Sequence, residues 1–248
     1  MPQGILWVSS RIVRPENLAP ETLIEWYENT HIQEVLALPG APSAARYEAL
    51  KTQPEKAYSK EAPWLTLYDM PDIGFRNSDD FTGIADRNPP SPQLMDSIYK
   101  NTHFEMRFYE QIQVVESPTA SSDSAKFLVS AAMHPASDPA SLADFDKWYR
   151  EEHLPLLSRL PGFVRSRRFE IASATVLNQA QFGDVLEKAP RYLALHEFSG
   201  KELPWEELAK SRETVWAKGV LGSVERVEMG YYAAGRVYPE SEWGNVGK

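Results

Sequence analysis

The chain contains no cysteine, so the groups able to exchange protons near neutral pH are its five histidines, His31, His103, His134, His153 and His196, together with any carboxylate shifted by burial. Two of them sit in matching surroundings: Trp26-Tyr27-Glu28-Asn29-Thr30-His31 and Trp148-Tyr149-Arg150-Glu151-Glu152-His153 share an aromatic pair and a histidine. On a helical wheel His31 falls beside Leu23, Tyr27 and Leu38, and His153 beside Phe145, Tyr149 and Leu160, so both lean toward a buried face. Burial disfavours the charged imidazole and leaves the neutral form, which accepts a proton. The chemistry this suits is general-base catalysis, or acid catalysis after protonation, on an enolisable or phenolic substrate. The competing reading is structural: each histidine caps helix-end carbonyls or bonds the adjacent loop, in both places because both descend from one ancestor.

A second set of candidates lies on alternating strands. Along 103–115, His103, Glu105, Arg107 and Tyr109 fall on one face and Phe104, Met106 and Phe108 on the other. Glu228 and Tyr232 repeat Glu105 and Tyr109 later in the chain. Charges on a face between two sheets must be paired, so this face is either an internal ladder of ion pairs or a place where a Glu beside an Arg orients a histidine or holds a polar substrate. The face Trp64, Thr66, Tyr68 and its counterpart Tyr192, Ala194, His196 offer aromatic walls with few donors, suited to a flat ring, although ordinary core packing uses the same residues.

What positions these groups is a duplication. Both histidine segments run on to Leu-Pro-Gly, at 38–40 and 160–162, and the offset from Trp26 to Trp148 still holds at Arg46/Arg168, Tyr47/Phe169 and Glu48/Glu170. Each copy reads β-α-β-β-α-β. The first strands are expected at 4–12 and 126–134, the first helices from Pro20 to about Leu38 and from Asp138-Pro139 or Ser141 to about Leu160, each ended by Pro-Gly with the glycine in a left-handed turn. Second strands are expected at 44–50 and 163–172, third strands at 64–69 and 192–197, second helices at 92–100 and 204–218, and fourth strands at 103–115 and 224–237. The stretch 71–92, rich in Asp, Asn, Gly and Pro, reads as a long loop covering a site. The domains are therefore 1–115 and 126–248, joined by a Ser/Thr/Pro/Ala-rich linker at 116–125. An open four-stranded sheet with helices on one face needs a cover for the other, and the second copy supplies it. The fold class expected is α+β: two tandem ferredoxin-like units forming an intramolecular pseudo-dimeric α+β barrel.

Composition narrows the function. A net charge of -9 lacks the basic footprint that nucleic acid or an anionic membrane requires, although Arg165, Arg167 and Arg168 could hold a small anion. No run approaches membrane-spanning length and the first residues lack a charged, then apolar, secretory signal, so a soluble cytoplasmic protein is expected. There is no Gly-rich phosphate loop, no Gly-x-Ser-x-Gly elbow, no His-Glu-x-x-His and no clustered metal-ligand spacing.

The Trp-Tyr-x3-His pattern, Glu-Glu-His-Leu-Pro at 151–155, the Leu-Pro-Gly that follows and Tyr-Leu-Ala-Leu-His-Glu-Phe at 192–198 resemble the dimeric α+β barrel superfamily, EthD-like proteins in particular. The resemblance implies a pocket between sheet and helices in each unit. It also implies kinship with cofactor-free cyclases, dehydratases, decarboxylases, isomerases and quinone-forming monooxygenases, and with haem-binding members. Copy one departs from the pattern, with Asn29-Thr30-His31-Ile32-Gln33 in place of the acidic pair and the proline. The expected function is a cofactor-independent, metal-free enzyme of polyketide-like or aromatic metabolism performing cyclisation, dehydration or decarboxylation. His153 and, second to it, His31 move the proton; Tyr149, Tyr27 and the aromatic strand residues bind the ring. Two alternatives stand beside it: a non-catalytic binder or assembly protein, and a haem- or oxygen-dependent monooxygenase. Association of the fused pair into a further homodimer is left open.

Overall fold

Both faces of most strands are apolar, as they must be when one face lines a barrel and the other carries helices. The computed structural model describes residues 1–117 and 125–239. Within them the strands are β1 (Gly4–Ile12), β2 (Ser43–Ala49), β3 (Trp64–Met70), β4 (Thr102–Glu116), β5 (Phe127–Pro135), β6 (Phe163–Asn178), β7 (Gln181–Asp184), β8 (Tyr192–Phe198) and β9 (Val224–Tyr238). The first copy orders its strands β4-β1-β3-β2 and the second β9-β5-β8-β6, all antiparallel. The fourth strand of each copy pairs with the second strand of the other, β4 with β6 and β9 with β2, so eight strands close into a barrel. This is the pseudo-dimeric α+β barrel expected from the duplication. Most of the expected linker, residues 118–124, lies outside the described residues.

Eight strands leave an interior that side chains fill. Ile5, Trp7, Leu65, Leu67, Leu128, Phe169, Leu193 and Leu195 occupy it with Tyr47, Tyr109 and Tyr232. Two charged groups are buried among them. Arg107, 1% exposed, pairs with Glu105 and with Glu228, each at 2.7 Å, and its guanidinium lies 4.6 Å from the Trp7 ring centroid. Arg167 pairs with Asp69 at 3.0 Å and with Glu197 at 3.2 Å. Glu105 and Glu228 are equivalent positions of the two copies, as are Asp69 and Glu197. In each cluster an arginine from one copy reaches the carboxylates of both; in the second, Arg165 adds a further contact to Glu197 at 2.9 Å.

On the outer face, helix α1 (20–36) covers copy one and α3 (139–157) covers copy two; the smaller α2 (Pro92–Ser97), α4 (Trp205–Lys210) and α5 (Val215–Gly222) complete the layer. Asp138 caps α3 by accepting from the Ala140 and Ser141 amides at 3.1 and 3.0 Å. The expected single helix 204–218 is two, because Thr214 caps a new start, its Oγ accepting from the Ala217 amide at 3.0 Å. The stretch 71–92 holds short helical turns rather than open loop, and lays Phe75 and Phe81 onto the helix-side core of copy one. β6 runs six residues past its expected end because 173–178 pair with β4, and it then turns into β7 through Gln179 and Ala180 at φ 50° and 66°. Both central residues are left-handed, the mark of a tight hairpin turn.

The two Pro-Gly stops differ. Gly162 is left-handed, at φ 73°, as expected, whereas Gly40 is not. Gly40 is instead required by space, since a Cβ there would overlap the Phe75 ring.

Candidate functional site

In both copies the first helix widens at the same five residues. Tyr27–His31 and Tyr149–His153 are π turns, in which the Ile32 and Leu154 amides donate to the Tyr27 and Tyr149 carbonyls five residues back. Such a widening is common at functional sites. In copy two it keeps Trp148, Tyr149 and His153 together, all buried against the outer face of the sheet.

His153 is 6% exposed. Its ring stacks on Trp148 with centroids 4.4 Å apart, and meets Tyr149 and His196 edge-on at 5.2 and 5.8 Å. Its Nδ1 is buried without a hydrogen-bond partner. Glu152 fixes the ring beneath it, accepting from the Trp148 indole N–H at 3.1 Å and from the Thr214 hydroxyl at 2.6 Å. The acidic residue of the Glu-Glu-His pattern thus ties the π turn to the cap of α5. His196 stands on β8 opposite Ser166 of β6, and Ser166 Oγ and His196 Nδ1 share a hydrogen bond of 2.8 Å.

Both imidazoles line a cavity of about 60 Å³ between β5, β8, β9 and the helices. Its walls are mostly apolar, among them Trp148, Trp205, Met229 and Tyr231, and it reaches the surface at the exposed Arg212. Burial, then the neighbouring His196, Arg212 and Arg168, hold the His153 pKa well below the usual imidazole value. Burial, then Arg168, push His196 down to about 3. At neutral pH both rings are neutral. A porphyrin exceeds the drug-sized ligands that fill 300–1,000 Å³, so these two histidines do not offer haem a fitting pocket as the walls stand.

The residues expected from sequence separate into three places. His153 and His196 share the cavity, with Tyr149 packed behind His153 and Tyr192 stacked on Phe145 at 5.5 Å. Tyr27, Tyr68, Trp64 and His31 belong to the helix side of copy one. There Tyr68 replaces His196, and His31, 29% exposed, lies 3.7 Å from Glu34 and stacks on Trp26 at 5.2 Å. Thr30 stands where copy two has Glu152, and the Trp26 indole N–H is buried without a partner. Glu105, Arg107, Tyr109, Glu228 and Tyr232 face the barrel interior, across the sheet from His153, and so orient neither cavity histidine. Tyr232 donates to the Ala62 carbonyl at 3.3 Å, and His103, at the barrel end, lies 3.1 Å from Asn178. Sequence reasoning missed Ser166, Glu152, Trp205 and Arg212. Glu152 sits inside the Glu-Glu-His pattern and Ser166 two residues before Arg168; nothing in the sequence distinguishes Arg212 from other helix-end cations.

No protein-family model matches the chain, and no curated protein matches it. Solved structures do. An anthrone oxidase-like protein aligns over 100% of this chain and 96% of its own, with a TM-score of 0.60 at 10% identity. A variant chlorite dismutase from Candidatus Nitrospira defluvii, in complex with cyanide, aligns over 94% and 91%, with a TM-score of 0.55 at 7% identity. A candidate monooxygenase from Fusobacterium nucleatum subsp. nucleatum aligns over 95% and 94%, with a TM-score of 0.52 at 9% identity. At such identities the likeness is one of fold, and the fold this chain shares with them is the dimeric α+β barrel.

Proposed function

We propose that copy two is a small-molecule enzyme site in which His153 accepts a proton from an enolisable or phenolic substrate. The observation that carries this reading is a buried imidazole, neutral at neutral pH, that lines a cavity with its Nδ1 unsatisfied and its ring held on Trp148. A histidine kept only for structure would spend its ring nitrogens on neighbouring carbonyls, as buried polar atoms ordinarily do. The EthD-like pattern Trp148-Tyr149-x3-His153 supports the same class of chemistry: cofactor-free proton transfer leading to cyclisation, dehydration or decarboxylation. The anthrone oxidase-like neighbour supports trying a ring ketone first, because anthrone is enolisable. The cavity of about 60 Å³ is well short of the ~150 Å³ that holds a benzene, so a ring enters only when the walls part.

The test is deuterium exchange into anthrone in D2O, followed by NMR. The protein is expected to accelerate exchange at the acidic CH2, and His153→Gln to lose roughly 10² to 10⁴ of that acceleration with an unchanged circular dichroism spectrum. Undiminished exchange in the variant would remove His153 from the mechanism.

A further inference from the structure

The cavity has one cationic side chain in its lining, and among the described residues no carboxylate forms an ion pair with it. Arg212 follows α4, is exposed, and lines the same cavity as His153 and His196. Its guanidinium lies beside the Tyr231 hydroxyl and close enough to His153 to oppose that ring's protonation, yet it makes no ion pair among the described residues. The adjacent Glu213 pairs with Lys218 at 2.7 Å, and Arg212 joins Lys218 in holding its carboxyl below the usual value only from a distance, without an ion pair. In a chain of net charge -9, an arginine that makes no ion pair at the edge of an apolar cavity is matched to an anion that arrives with the ligand.

We propose that Arg212 anchors a carboxylate on the substrate, so that the cavity of copy two takes small enolisable carboxylic acids, with the carboxylate on Arg212 and the acidic carbon toward His153. The placement of the carbon rests on the proton-transfer reading above; the carboxylate anchor does not. Size agrees, since about 60 Å³ admits a short acyl chain with the walls as they stand, whereas a ring such as anthrone enters only when they part. Electrostatics agree as well. Arg212, Arg168 and His196 all disfavour a proton on His153, and a bound carboxylate offsets them, so the base gains strength when the anion is in place.

Two probes that share an ethyl ketone test this: 2-oxobutanoate, and butanone, in which a methyl replaces the carboxylate. Binding is read by tryptophan fluorescence, since Trp148 and Trp205 wall the cavity, and exchange at the carbon beside the ketone by NMR in D2O. The protein is expected to bind 2-oxobutanoate at least about tenfold more tightly than butanone, one charge-assisted contact being sufficient for that. Arg212→Met should erase the preference, and Arg212→Lys should restore part of it. Equal binding of the two probes by the unaltered protein, or an undiminished preference in Arg212→Met, would overturn the anchor. His153→Gln separates the two readings. Binding preference retained with exchange lost supports both, whereas preference retained with exchange intact keeps the anchor and rejects His153 as the base.

Discussion

Two neutral histidines buried between sheet and helices make the fold acid-sensitive in a range where carboxylates do not yet titrate. His196 is depressed to about 3, against 6.5 for the exposed group. Between those values the unfolded chain binds a proton that the folded chain refuses, so stability falls as pH falls through 6.5 and goes on falling until the folded group itself titrates. From pH 7 to pH 5 this costs about 2 kcal/mol for His196 alone, at 1.36 kcal/mol per unit once the pH is well below 6.5. His153 is lowered too, chiefly by burial, and adds with the same sign. His103 and His134 are also lowered, but they remain in both proteins of the comparison below and cancel. The assay is urea unfolding of the unaltered chain and of the His153→Gln/His196→Gln double variant, each at pH 7 and pH 5. The variant should start less stable at pH 7 and lose at least about 2 kcal/mol less on going to pH 5. Equal losses in the two proteins, with equal m-values, would refute the claim that these imidazoles stay neutral in the fold.

Removing the shared arginine with Arg107→Met leaves Glu105 and Glu228 facing each other beside an apolar core, at a cost of about 3–5 kcal/mol in urea unfolding. Adding Glu228→Gln should return part of that loss; no recovery would show that Arg107 stabilises by packing on Trp7 rather than by neutralising both acids. Gly162→Ala should cost at least about 1–2 kcal/mol, because φ is 73° and the new Cβ would lie 2.9 Å from the Gly200 amide nitrogen. Gly40→Ala should also destabilise, but there truncating Phe75 to Ala in the same chain should relieve it, a rescue that Gly162 cannot have; melting temperatures of the three variants decide.

The architecture was legible because the duplication is written in residues that must recur: Trp-Tyr-x3-His, Leu-Pro-Gly, and strands whose both faces are apolar. Closure of the barrel through β4 with β6 and β2 with β9 follows from pairing two identical open sheets. Where the local signal is weak, the expectation fell short. The Asn178-Gln179-Ala180-Gln181 hairpin has no glycine at either left-handed position, so β7 left no trace in the sequence. The break in 204–218 rests on one threonine hydroxyl, which reads equally well as a mid-helix polar residue. At the site, the period of 3.6 put both first-helix histidines toward the core, yet could not show the π turns. The alternation along β4 identified Arg107 and Glu105 as one face without showing that the face points away from the histidines. A strand pattern gives the two faces and not which of them meets the helices.

The differences between the copies form a pattern that a symmetric homodimer could not reach. In such a dimer every substitution occurs twice, so an arginine at 107 would meet its own copy across the twofold axis with two carboxylates and two guanidinia in one place. Fusion lets one copy carry Arg107 while Gly230 stands at the matching position, and one guanidinium then satisfies both glutamates. The same freedom acts on the outer layer. Copy two keeps Glu152 under Trp148 and His196 beside His153; copy one has Thr30 and Tyr68 there, and its Trp26 indole N–H is left buried and unpaired. An unsatisfied buried donor costs about 1–3 kcal/mol. Thr30→Glu is therefore expected to stabilise the chain by about 1 kcal/mol in urea unfolding without changing proton exchange at His153. A loss of stability would mean that the π turn of copy one does not present residue 30 to Trp26 as copy two presents Glu152 to Trp148.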